Sequence, residues 1–328
     1  MVVLVVGANG QLGARCTQGL MARGHAVRGS VRVLERGEAL ARAGVELVRA
    51  DLGDPDGLSA ALAGVDSVIV TANPAVPRAG EDPEAVHAGM SRLVDDAATA
   101  GVRRLVLVSL PSTPLDDQIP FVRQRRVLEQ RVAAAGYEHV VVRFPPFMEC
   151  WLALVGSAIP LRGEPFATVG RPSPFLRAFR RLTGSVIEDR GIMLVPGRAS
   201  NRNSFIAEDD VARACVAAVE RPDAANRTYE VGGPEVLTWA DVAATYERVL
   251  HRKVRIVSTP AGAYAAAASL LAPVAKVPAA TMALNRLIAA TEAPSPPGGG
   301  LLDPAGMLTV RAFLEAKAAL PEALPTVA

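Results

Sequence analysis

Val2 to Val6 is a run of five apolar, mostly β-branched residues, the pattern of a strand buried on both faces of a parallel sheet. Three glycines follow it, at Gly7, Gly10 and Gly13, and the chain then takes on helical periodicity, with Leu12, Cys16, Leu20 and Met21 on one face before Gly24. The same rhythm repeats. The pattern predicts strands over Ala26–Val31, Val45–Ala50, Ser67–Thr71, Arg104–Ser109 and Glu138–Phe144. Between them it predicts helices over Asp56–Ala63, Pro83–Ala100 and Ile119–Ala135. Strands alternating with helices in this way specify an α/β fold with a doubly wound parallel sheet.

Beyond Phe147 the regularity stops. A helical pattern surrounds Trp151, residues 159–174 are rich in Pro and Gly, and Phe175–Leu182 is a basic helix carrying Arg177, Arg180 and Arg181. Glu208-Asp209-Asp210 fit the first turn of a helix reaching Glu220, where the helix dipole favours acids, and no His or Cys joins them in a metal-ligand pattern. Further strands are expected over Met193–Val195, Thr228–Val231 and Arg252–Ser258, and Thr238 is placed to cap a helix ending at Leu250. Two alanine-rich helices over about 261–275 and 278–291 come next, then Ala293 to Gly300, which reads as a linker or exposed loop. Leu308–Leu320 is a last helix expected to dock back on the rest.

Composition narrows the function class. A net charge of +2 over 328 residues argues against a dedicated nucleic-acid surface. Three widely spaced cysteines, Cys16, Cys150 and Cys215, form neither a disulfide framework nor a ligand pattern and read as reduced thiols of a cytoplasmic protein. No apolar run reaches the length of a membrane span, and strand and glycine loop occupy the place of a cleaved leader. The wealth of Ala, Arg and Val points to a GC-rich bacterial coding sequence.

Candidate chemistry concentrates at the strand ends. In Gly7-Ala8-Asn9-Gly10-Gln11-Leu12-Gly13 the first glycine permits a tight turn, the second lets the backbone approach a diphosphate, and the third lets helix and strand pack closely. The spacing Gly-x-x-Gly-x-x-Gly departs from the usual Gly-x-Gly-x-x-Gly, so the strand before it and the helix after it carry the reading. A glycine-rich turn that binds nothing would share the pattern. Arg32 stands where an acid would bond the ribose 2′-hydroxyl of NAD(H), so NADP(H) is expected, with NAD(H) as the second choice. Asp51-Leu52 lies where adenine would sit, although Asp51 also suits a turn; Thr71-Ala72-Asn73 would pass the middle of the cofactor. Ser109 ends the fifth strand, and Phe121, Arg125 and Glu129 fall on one face of the long helix. Phe147, Met148, Trp151 and Phe166 are candidates for an apolar substrate wall, although residues of these types more often form plain core.

With these pieces in place the chain resembles the atypical short-chain dehydrogenase/reductases, specifically the NmrA-like NAD(P)-binding family. The resemblance rests on the glycine loop, Arg32, Asp51-Leu52, Val108-Ser109, Glu129, Arg143-Phe144-Pro145-Pro146-Phe147-Met148, Phe205 to Ala212 and Tyr229 to Glu235, and it spans about residues 1–258. It implies a Rossmann NAD(P)-binding domain over 1–147 and a smaller, mostly helical substrate-side domain over 148–328, with parts of 204–235 returning to the Rossmann edge and a helical tail over 261–328. It also implies cofactor contacts by Phe144, Pro145 and Phe147. Catalysing members of the wider superfamily place Tyr and Lys four apart on the long helix, with Ser at the end of the fifth strand. Here the first two positions hold Phe121 and Arg125, which leaves Ser109 as the candidate catalytic residue and Arg125 as a holder of ribose or phosphate oxygens. Two readings stay open: hydride transfer to a small conjugated carbonyl or quinone without a tyrosine acid, or an inactive NADP(H)-binding redox sensor or regulator.

Overall fold

In the computed structural model, which describes residues 1–53, 55–72, 83–164 and 174–321, the elements run in this order. The first half contains β1 (Val2–Val6), α1 (Gln11–Ala22), β2 (Ala26–Val31), α2 (Glu38–Arg42), β3 (Glu46–Arg49), α3 (Pro55–Leu62), β4 (Ser67–Val70), α4 (Pro83–Thr99), β5 (Arg104–Ser109), α5 (Pro120–Ala134) and β6 (Glu138–Arg143). The second contains α6 (Met148–Leu154), α7 (Pro174–Thr183), α8 (Val186–Arg190), β7 (Ile192–Pro196), β8 (Arg202–Asn203), α9 (Glu208–Glu220), β9 (Arg227–Glu230), β10 (Leu237–Thr238), α10 (Trp239–Leu250), β11 (Arg255–Thr259), α11 (Ala261–Leu271), α12 (Lys276–Ala290) and α13 (Val310–Ala318). The short helices α2 and α8 left no periodic signal in the sequence.

Seven strands form one parallel sheet in the order β3-β2-β1-β4-β5-β6-β9, a Rossmann-like α/β arrangement. Strand order reverses between β1 and β4, so a crevice opens beyond the carboxyl ends of these two strands. The apolar run of β1 serves both faces. Val3 and Val5 enter a core against α1 and α9, with Cys16, Leu20, Val211 and Cys215. Leu4 and Val6 enter a second core against α3 and α4, with Leu58, Met90 and Leu93. A fully buried strand needs apolar residues at successive positions for this reason.

Arg104, almost fully buried at the start of β5, donates from Nη1 to the carbonyls of Ala218, Val219 and Arg221, which end α9. A cation at a helix C-terminus satisfies carbonyls that have no partner within the helix.

A third core lies beyond β6. Met148, Trp151 and Leu152 of α6 meet Phe205, Trp239 and Tyr246, together with Phe313 and Leu314 of α13. The Phe205 and Trp239 rings meet edge to face at 4.9 Å, and the Tyr246 hydroxyl donates to Leu152 O at 2.8 Å. α10 begins with the expected cap: Thr238 accepts from Asp241 N and Asp241 reaches back to Thr238 N. The tract after Ala293 is a partly exposed loop and not a free linker. Asn203 bridges to Ala293 and Gly232 to Pro297, Ser204 Oγ donates to Ser295 O, and Ser295 is buried. Backbone hydrogen bonds hold this Pro- and Gly-rich segment in place of apolar side chains.

Candidate functional site

The crevice at the β1–β4 switch is a continuous cleft, and the predicted residues gather in it. Gly7, Asn9, Gly10, Gln11, Leu12 and Gly13 line one stretch. Arg32, Asp51 and Leu52 line the end beside β2 and β3, and Thr71 and Ala72 line the middle. Ser109, Arg125, Phe144, Pro145 and Phe147 line the opposite end. Asn73 and Phe166 lie outside the described residues.

The glycine loop is built by close approach. Gly7 sits at φ +86°, and a Cβ on Gly13 would lie 2.1 Å from Gly7 O. Gly10 N donates to Gly7 O at 2.9 Å, which closes the turn. Gly10 then begins α1 with no side-chain cap, and the first turn of α1 carries no acid. The first amides of a twelve-residue helix therefore open toward the cleft with their partial positive charge uncompensated. Gly7 N donates to Ser30 Oγ at 3.3 Å, which ties the loop to the end of β2 beside Arg32. Asp51 Oδ1 accepts from Gly53 N at 3.0 Å, so it serves a local turn while lining the cleft.

At the other end Ser109 Oγ donates to Glu129 Oε1. Glu129 is buried and doubly clamped, accepting from Arg126 Nη1 at 2.6 Å and from Arg143 Nη2 at 2.6 Å. Arg126 continues to Asp116 Oδ2 at 2.7 Å and to the carbonyls of Leu110 and Pro111. This network fixes the loop after β5 against α5.

Arg125 is 2% exposed. Its Nη2 donates to Ala72 O at 3.1 Å, while Nη1 has no hydrogen-bond partner among the described residues. Burial pushes its pKa down to about 10, with Glu129 acting in the opposite direction. The guanidinium therefore stays charged at neutral pH. His87 of α4 has a buried Nε2 without a partner among the described residues; burial, aided by the charge of Arg125, lowers its pKa to about 4. It is neutral at physiological pH.

A second polar cluster flanks α1. Glu149 and Glu208 are both buried, and both Glu149 oxygens face Glu208 N, at 3.0 and 3.1 Å. Burial raises the Glu149 carboxyl to about 7, and burial together with Glu149 raises Glu208 well above the usual carboxylate range. Arg15 stands over this pair, bonded to Glu164 at 2.6 Å and to Asp209 at 2.7 Å. Of the acidic triplet at the start of α9, Glu208 and Asp210 are thus buried rather than solvated, Asp210 accepting from Leu308 N and Arg213.

The apolar wall is partly as expected. Phe147 and Trp151 line the cleft, whereas Met148 points into the third core and is fully buried there. Among the lining residues that escaped the sequence reading are Leu284, Leu287, Ile288 and Thr291, along α12 and its end. Their i, i+3, i+4, i+7 spacing was visible, but it identifies a buried face without saying what the face covers.

A sequence profile of the NmrA-like family matches residues 1–271. Among sequence relatives, a (4-alkanoyl-5-oxo-2,5-dihydrofuran-3-yl)methyl phosphate reductase from Streptomyces griseus subsp. griseus is 32% identical over 259 residues, covering 77% of this chain and 76% of the relative. An NAD(P)H azoreductase from Xenophilus azovorans is 28% identical over 257 residues, covering 78% and 77%. Among solved structures, the Citrobacter sp. triphenylmethane reductase complexed with NADP(H) superposes with a TM-score of 0.72 at 18% identity, covering 97% of this chain and 100% of the other. Among the described residues no helix is long and apolar enough to cross a membrane.

Proposed function

The chain belongs to the NmrA-like family, and from that premise we propose that it is an NADP(H)-dependent oxidoreductase acting on a small conjugated carbonyl or quinone-type acceptor. One observation carries the reading: the uncapped N-terminus of α1, the buried Arg125, whose Nη1 has no partner among the described residues, and an apolar far end line a single cleft. The two reductases among the sequence relatives support the same class.

The residues present suit the cofactor. The first amides of α1 and the glycine backbone would receive the diphosphate. Arg32 would pair with the 2′-phosphate, and Asp51 and Leu52 would border the adenine. Thr71 and Ala72 would pass the middle, Arg125 would offer N–H groups to ribose oxygens, and Phe144, Pro145 and Phe147 would border the reacting end. When bound, the nicotinamide supplies a hydride. Hydride addition to a conjugated carbon leaves the electron pair on the acceptor oxygen, which then takes a proton from water. Phe121 has no proton to give, and the single hydroxyl proton of Ser109 is directed at Glu129. A conjugated acceptor suits such a site because its product anion is delocalised and does not need a proton in the same step.

The test is NADPH oxidation by the purified protein with quinones, enones and simple ketones. Turnover of conjugated acceptors without simple ketones is the expected result. Tight NADPH binding with no turnover of any acceptor would replace this reading with that of an NADP(H)-binding sensor.

A further inference from the structure

The far wall of the cleft comes from α12, residues 276–290, which lie beyond the matched span of 1–271. The family match covers the glycine loop, while Leu284, Leu287 and Ile288 lie past its end. α12 is held firmly at this position. Leu287 packs with Ile119 and Val122 of the α5 entry, Arg286 donates to Gln118 at 2.6 Å, and Asn201 Nδ2 donates to Ala289 O at 3.1 Å.

The chemistry of this end is narrow. Phe121, Phe147 and Trp151 face the cleft together with the α12 residues, and none of them carries a charge. The hydroxyls nearby are already engaged as donors: Thr291 to Leu287 O at 2.7 Å, Thr113 to Asp116 at 2.9 Å, and Ser109 to Glu129. Arg125 also lines this space, and its Nη1 is buried without a partner among the described residues. A guanidinium Nη carries two hydrogens, so one can meet a ribose oxygen and the other an oxygen of a second ligand.

We propose that α12 forms a binding wall for an uncharged, flat, ring-containing acceptor whose carbonyl oxygen is received by the Arg125 guanidinium. This rests on the reading of the cleft as a reductase site. A ring buries its faces against the aromatic and aliphatic side chains, and its oxygen meets the guanidinium. An anionic substituent at the ring end away from Arg125 would be buried against Leu284 and Ile288 with no partner.

The experiment is equilibrium binding, by calorimetry, of a neutral 1,4-naphthoquinone and its sulfonated analogue to the free and NADP⁺-loaded protein, with initial rates recorded in parallel. The wild type is expected to bind the neutral ring at least about tenfold more tightly than the sulfonate. Leu284→Lys is expected to move that ratio by about tenfold or more toward the sulfonate, and Ile288→Ala to weaken the neutral ring, while NADP⁺ affinity holds within about twofold. An unchanged preference in both variants, each folded and loaded, overturns the α12 assignment even if turnover persists. A shifted preference in binding without turnover by any form supports α12 and overturns the reductase reading instead.

Discussion

Ser109 donates its hydroxyl hydrogen to the Glu129 carboxylate, and Arg126 and Arg143 hold that carboxylate in place. Glu129 accepts from both arginines as well as from the serine, so Ser109 acts as a tie between the end of β5 and α5. Ser109→Ala removes one hydrogen bond to a charged group and is expected to cost about 1–3 kcal/mol of unfolding free energy. Turnover of quinone acceptors is expected to stay within about threefold, since the lost proton was not directed at the acceptor. Denaturant melts and initial rates on the same sample check both; a loss of kcat by a hundredfold or more would return Ser109 to a chemical role.

The legible part of this protein is the part whose geometry constrains residue type. β1 is buried on both faces and must be continuously apolar, and the turn after it brings Gly7 O to where a Cβ of Gly13 would stand. Both demands leave marks on the sequence. The α12 wall left only a periodic stripe, because Leu284 and Ile288 look the same whether they face a core or a ligand. The 293–300 tract was misleading for the opposite reason. It is held by main-chain bonds such as Gly232 N to Pro296 O, which any sequence can make, and its Pro and Gly content reads as a linker. The clamp on Glu129 joins Arg143 to a helix fourteen residues earlier, a pairing that no local spacing announces.

Arg32 lines the cleft where β2 ends, on the side of Asp51. If it pairs with a 2′-phosphate, Arg32→Ala removes a charge-assisted contact that NADH never makes. The dissociation constant for NADPH is expected to rise by about ten- to a hundredfold, while that for NADH moves by less than about threefold. Fluorescence titration with the two nucleotides reads the difference directly. Equal losses for both would assign Arg32 to the adenosine or to the fold.

Phe121 lines the same end of the cleft as Arg125, one helical turn before it. Phe121→Tyr places a phenol beside a buried guanidinium, which favours the ionised form and lowers the phenol pKa. Simple ketone reduction, which needs a proton donor in the transition state, is expected to rise by about tenfold or more, with quinone turnover little changed. A variant that folds, binds NADPH as the wild type does and gains nothing with ketones would place residue 121 away from the reacting carbon.

Glu149 supplies a pH dependence whose sign follows from its surroundings. Burial raises its carboxyl to about 7 from an ordinary 4.5, while the Glu208 amide and Arg15 oppose the shift and Glu164 adds to it. The folded state then holds a proton that the unfolded chain releases, so this group favours folding fully below about pH 4.5. That contribution is lost as pH rises through the folded value near 7. Glu149→Gln keeps a side-chain oxygen for Glu208 N and removes the titration. Relative to wild type, its Tm is therefore expected to climb steadily between about pH 5 and 8 and to level off above that range. Thermal melts of both proteins across this range test it. Parallel Tm curves would mean that Glu149 is ionised throughout, with Arg15 compensating the buried charge and Glu208 holding the proton of the pair.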